Sequence, residues 1–159
     1  VALMLIMAKE LTLVLLRNED RLLLGLKKKG FGKGLWNGFG GKVESGESVI
    51  DAAKRELAEE CGLVAKTLKK VGILNFIFDF DPVKWIVHVF SLEEYSGQII
   101  ESEEMQPKWF KIDEIPFDKM WPDDRIWYPK FLKNETFEGT FYFRDLDTIT
   151  KYELLEKSF

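Results

Sequence analysis

Cysteine occurs once in the 159 residues, as Cys61, and histidine once, as His88. A single thiol excludes an intrachain disulfide, which suits a reducing compartment. Positive charge is not in excess: the formal net charge is −4, and a general binder of polymeric nucleic acid carries a basic face instead. No apolar run is long enough to span a bilayer. The opening Val1 to Met7 is apolar but far too short, and it has no basic leader or small-residue cleavage pattern. Phosphate-loop signatures are missing as well. Gly41-Lys42 is preceded five places earlier by Trp36 and followed by Val43, where a Walker motif needs Gly and Ser or Thr, and no G-x-G-x-x-G occurs. Kinase, P-loop NTPase and dinucleotide-binding readings lose their best support. No repeat, low-complexity stretch or long linker divides the chain.

What remains fits one domain over residues 1–159, with 1–9 as a tail or an added edge strand. Aromatic content is high at 14%, with five Trp, so rings are needed as core or as a stacking surface. Leu11–Leu16 and Leu22–Leu26 are apolar runs separated by Asn18-Glu19-Asp20, the pattern of a hairpin. Six of the twelve glycines fall between Gly30 and Gly41, a loop whose shape the backbone sets. Ser48–Cys61 reads as a helix. Ser48 is placed to cap it, with Asp51 three residues on, Gly62 to stop it, and Ile50, Ala53, Leu57 and Cys61 as its buried face. Val71–Phe78, Lys84–Phe90 and Lys108–Ile112 read as strands. A second helix is expected over Asp123–Lys133, with Pro129 near its start or kinking it, and a closing hairpin over Thr136–Phe143 and Thr148–Leu155. Strands with only two helices predict an α/β fold with a mixed sheet between helices.

The helix carries the chemistry. Glu56 is three and four residues from Glu59 and Glu60, so the carboxylates share a face. Two like charges about 4 Å apart repel by about 4 kcal/mol at an effective dielectric near 20. A hard divalent cation, Mg²⁺ or Mn²⁺, removes that penalty. The bland alternative is a solvated face on which Arg55 pairs with Asp51 and Glu59 at four-residue spacing.

Read in full, the stretch is Gly41, five residues, Glu47, seven residues, Arg55-Glu56-Leu57, one residue, Glu59-Glu60, one residue, Gly62-Leu63. It resembles the Nudix box with every fixed position filled. The resemblance implies an α/β/α sandwich that hydrolyses a nucleoside diphosphate linked to another group. It also implies that Glu56, Glu59 and Glu60 carry Mg²⁺ with the carbonyl of Gly40, braced by Arg55 and Glu47. Such ions neutralise phosphate oxygens and lower the pKa of a bound water. One glutamate of the set, or the more distant Glu104, would accept the proton.

The flanks are similar to one branch of that family, the oxidised purine nucleoside triphosphatases related to the mammalian homologues of MutT. Lys27 to Gly32, Trp36 to Lys42 and Met120 to Asp124 carry the likeness, which runs from about Thr12 to Leu154. It implies conversion of 8-oxo-dGTP and 2-oxo-dATP to monophosphate and pyrophosphate, which keeps damaged nucleotides out of DNA. Asn37, Asp123 and Asp124 would bond the base while Trp121 stacks on it. Thr12, Lys27, Phe31, Phe76 and Met105 would line the pocket. Phe39, Gly40, Gly41, Lys42 and Pro122 would complete the contacts, and Glu104 would join the metal. Physical reasoning agrees in outline: a purine edge mixes donors and acceptors, and two adjacent buried aspartates do not both stay ionised, so one becomes a donor. The alternative for Trp121 to Asp124 is a turn in which an aspartate caps the second helix. Locally, His88, Cys61, Phe76 and Phe78 read as structural residues. The chain departs from its mammalian look-alikes at Trp85-Ile86, where those carry Met and Asp. A binding module without turnover would not need the intact carboxylate set. We expect a monomer acting on a small nucleotide in the cytoplasm, with nuclear and mitochondrial pools left open.

Overall fold

In the computed structural model, residues 7–159 are described. The tail expected at the start therefore lies outside the described residues up to residue 6, while Ala8 opens a strand. The chain runs β1 (Ala8–Asn18), β2 (Arg21–Lys27), β3 (Trp36–Asn37), α1 (Val49–Cys61), β4 (Val64–Phe78), β5 (Asp81–Ser96), β6 (Met105–Lys111), α2 (Asp124–Leu132), β7 (Phe137–Asp145) and β8 (Thr148–Glu156). The strands form one mixed sheet in the order β3-β2-β1-β5-β4-β7-β8, with β6 paired to β2. β1 is parallel to β5, and β4 to β7; the other pairings are antiparallel.

The apolar runs do not alternate because both faces of the sheet are covered. Leu13, Leu15, Leu22 and Leu24 turn to a core shared with Trp127, Tyr128 and Phe131 of α2. Val14, Leu16 and Leu23 turn to a second core with Ala53, Leu57 and Cys61 of α1. This is the α/β/α layering that the sequence predicts.

Several boundaries differ. β4 and β5 are much longer than expected, because Val64–Lys70 and Ser91–Ser96 continue the hairpin as largely exposed segments in which the buried Ala65 and Leu92 are scattered among polar residues and form no continuous apolar run. On α1, Ser48 Oγ accepts from Asp51 N at 3.1 Å, and Gly62 ends the helix at φ 80°. Ile50, however, is 47% exposed while Ala52 is fully buried, so the inward stripe is rotated toward Ala52 and Glu60. Pro129 lies inside α2 and not near its start.

The glycine-rich loop contains structure that composition hides. β3 pairs with Gly25 and Leu26 of β2, and Phe39 to Lys42 then run antiparallel along β1. Val14 N and Phe39 N donate to each other's carbonyls at 2.6 and 3.0 Å, and Thr12 N donates to Gly41 O at 2.8 Å.

Candidate active site

Glycine is required where this segment meets β1 and α1. A Cβ on Gly40 would sit 1.8 Å from Thr12 O, and one on Gly41 would sit 2.5 Å from the Glu56 carboxyl. The close approach brings backbone to carboxylate: Gly40 N donates to Glu60 Oε1 at 2.7 Å. Gly40→Ala is expected to cost about 1–3 kcal/mol, the usual scale for overpacking. A thermal midpoint equal to the parent's would show that the segment is not packed as described.

Arg55 organises the rest of the helix face. It donates to both oxygens of Glu47, from Nε at 2.8 Å and Nη2 at 3.0 Å. It also reaches Glu56 at 2.9 Å, Glu59 at 3.3 Å and the Lys42 carbonyl at 3.1 Å. The Asp51 pairing of the solvated-face alternative is not among its bonds. Arg55 and the Glu44 N–H hold the Glu47 carboxyl down at about 2. Glu56 is shifted up, chiefly by burial. Glu60, 4% exposed, is pushed up to about 8 by burial, with the charges of Glu56 and Glu104 adding to it. Glu104 lies across the site, 3.2 Å from Lys27 Nζ.

Among the described residues, no three carboxylate, imidazole or thiol groups stand close enough to grip an ion. The carboxylates are held by ion pairs instead: Arg55 holds Glu56 and Glu59, and Lys27 holds Glu104. The donor set nevertheless fits a hard divalent cation. All the side-chain donors are carboxylate oxygens, one of them is buried, and their mutual repulsion is what a cation relieves.

Beside Glu60 opens a cavity of about 500 Å³. Thr12, Lys27, Phe31, Asn37, Gly40, Gly41, Lys42, Phe76, Met105, Trp121, Asp123 and Asp124, all expected at the site, line it together. Two expected contacts are elsewhere. The Phe39 side chain is wholly buried in the core under α1, because the residue's alternation along β1 turns it inward. Pro122 faces a neighbouring groove with Phe117 and Arg125. Sequence reasoning did not single out Trp127 as a site residue, yet it is fully buried, lines the cavity and donates from Nε1 to Asp123 Oδ2 at 2.8 Å. Its four-residue spacing from Asp123 was the available signal. Asp123 therefore gives the helix no side-chain cap. Burial raises the Asp123 carboxyl to about 6 and Asp124 well above the usual range, the latter also through the charge of Asp123. Among the described residues, Asp124 Oδ2 has no hydrogen-bond partner. Cys61 packs in the core, where burial pushes its thiol up to about 11. His88 is held between Lys70 and Glu10 at 3.0 and 3.3 Å.

Residues 9–131 match the NUDIX domain. The chain belongs to the NUDIX family. Its sequence is 53% identical over 145 residues to the oxidized purine nucleoside triphosphate hydrolase of Mus musculus, covering 91% of this chain and 93% of that one. To the protein of the same name from Danio rerio it is 49% identical, covering 94% and 96%. Among solved NUDIX-type folds it is similar to the mutator MutT protein of Bacillus halodurans, with a TM-score of 0.80 and 29% identity over 92% of this chain and 97% of that one.

Proposed function

We propose that this NUDIX protein hydrolyses oxidised purine nucleoside triphosphates, 8-oxo-dGTP and 2-oxo-dATP, to the monophosphate and pyrophosphate. The observation that carries this reading is that one cavity is lined by two unlike sets of groups: Trp121 with the buried Asp123–Asp124 pair, and Glu60 with Gly40 and Gly41. A base stacked on Trp121 and bonded by Asn37 and the aspartates leaves its phosphates toward α1. The names of the mouse and zebrafish relatives support the same substrate class.

Glu56, Glu59, Glu60, Glu104 and the Gly40 carbonyl would hold Mg²⁺ or Mn²⁺. Such an ion, when bound, neutralises phosphate oxygens and acidifies a bound water. The chain's own part is to aim and to move a proton. Arg55, locked on Glu47, keeps Glu56 and Glu59 in place. One glutamate of the cluster takes the proton from the attacking water. Lys27 and Lys42 offer their ammonium groups to the substrate. All the residues assigned these roles come from one chain, and a monomer is the catalytic unit of this reading.

The test is pyrophosphate release with added Mg²⁺ from dGTP, 8-oxo-dGTP, 2-oxo-dATP and methylated purine triphosphates. Preference for the oxidised pair is expected; equal rates on dGTP would defeat the assignment. Trp121→Ala should weaken nucleotide binding by about 1–3 kcal/mol, the scale of one base–aromatic stack, and leave affinity for Mn²⁺ alone unaltered. Unchanged nucleotide affinity in a folded variant would mean that the base lies elsewhere.

A further inference from the structure

The cavity's apolar end contains a tryptophan that the site assigned above does not use. Register places Trp85 of β5 between Phe76 on β4 and Lys9 on β1, and both neighbours line the cavity with it. Its indole is fixed by surrounding groups. Phe31 meets it edge-on with centroids 5.4 Å apart, Phe78 does so at 5.1 Å, and Lys9 Nζ stands 4.6 Å from its ring centre. Phe31 in turn stacks on Trp121 at 5.1 Å and 20°. Indole, phenyl and indole thus form a continuous arc from the floor of the sheet to the segment before α2. Phe31, 55% exposed, is held by a ring on either side. A ring already immobilised by such contacts loses little freedom when a ligand meets it, so it favours binding over mere filling.

We propose that Trp85 is a base-contacting, specificity-determining residue. It closes the apolar end of the cavity against the purine and supports Phe31 beside Trp121. The inference rests on the purine-nucleotide reading of the cavity and adds the residue that sets the length of its apolar end. Replacing the indole with a smaller chain lengthens that end and removes a contact surface from a compact base.

The experiment compares the parent protein with Trp85→Leu and Trp85→Phe. Binding of 8-oxo-dGMP, with dGMP and dAMP in parallel, is followed by tryptophan fluorescence, and kcat and KM are measured on 8-oxo-dGTP with Mg²⁺. Trp85→Leu should raise Kd and KM by about tenfold, within the range for losing one base–ring contact. It should also abolish the part of the nucleotide-induced fluorescence change that Trp85 contributes. Trp85→Phe keeps a ring and should restore most of the affinity, which guards against a folding defect in the leucine variant. The proposal is overturned if Trp85→Leu binds like the parent. It is equally overturned if affinity falls while the nucleotide-induced fluorescence change stays that of the parent, since the ring would then only support the fold. A parent protein that binds purine monophosphates but does not hydrolyse 8-oxo-dGTP defeats the proposed function, and the binding data still decide the role of Trp85. A parent that binds none of them defeats both.

Discussion

Replacing Glu56 and Glu60 together with Gln is expected to lower turnover by orders of magnitude while the protein stays folded. Gln keeps the shape of Glu and, at position 60, an oxygen able to accept from Gly40 N–H. At position 56 it keeps an oxygen able to accept from Arg55, so α1 has little reason to shift. What the double variant loses is two anionic donors at the point where phosphate charge must be offset, an interaction worth most in the transition state. The measurement is kcat/KM for pyrophosphate release with Mg²⁺, set beside the thermal midpoint of each protein. Near-parent hydrolysis by a folded double variant would sink the catalytic assignment of the helix.

Changing either aspartate of the buried pair should redirect base choice. Guanine-type edges present N–H donors beside a carbonyl acceptor, and 2-oxoadenine presents another order. A pair of carboxyls holding one proton can serve both by exchanging donor and acceptor. The pair is built for this: both groups are 3% exposed, both are shifted upward by burial, and Trp127 anchors Asp123 alone. Asp124→Asn fixes a donor and ends the exchange. A buried polar group left unpaired costs about 1–3 kcal/mol, so the kcat/KM ratio of 8-oxo-dGTP to 2-oxo-dATP should move by about tenfold or more. If Asp123→Asn and Asp124→Asn both keep the parent ratio, other groups read the base.

The same pair fixes a pH dependence of stability. A carboxyl whose pKa is higher in the folded than in the unfolded state binds more protons when folded. The stability it contributes is complete below the unfolded value near 4 and declines as pH rises through the folded one. Asp123, at about 6, places the first part of this decline between pH 4 and 6, and the higher value of Asp124 extends it upward. Asp124→Asn should flatten the fall in thermal midpoint between pH 5 and 8 relative to the parent. A fall as steep as the parent's would mean that the pair is not buried in the way described.

The sequence by itself determined what depends on short-range spacing. Glu56, Glu59 and Glu60 share a face because a helix returns every 3.6 residues, and Ser48 and Gly62 bound that helix by local cap chemistry. Leu11–Leu16 and Leu22–Leu26 had to be strands buried on both faces once two helices were available to cover them. Only the tertiary structure decided what depends on register and close approach. Arg55 lies four residues from both Asp51 and Glu59, yet its bidentate partner is Glu47, reached because the segment from Lys42 to Glu47 folds back over α1. Lys27 and Glu104 are far apart in the chain and meet because β6 pairs with β2, Met105 opposite Lys27. Phe39 was expected in the pocket and is in the core, while Trp85 was a bare departure from its look-alikes and stands in the aromatic arc. A strand sends alternate side chains to opposite faces. Which face is core and which is cavity follows from its partners, and those pairings are made by residues dozens of positions away.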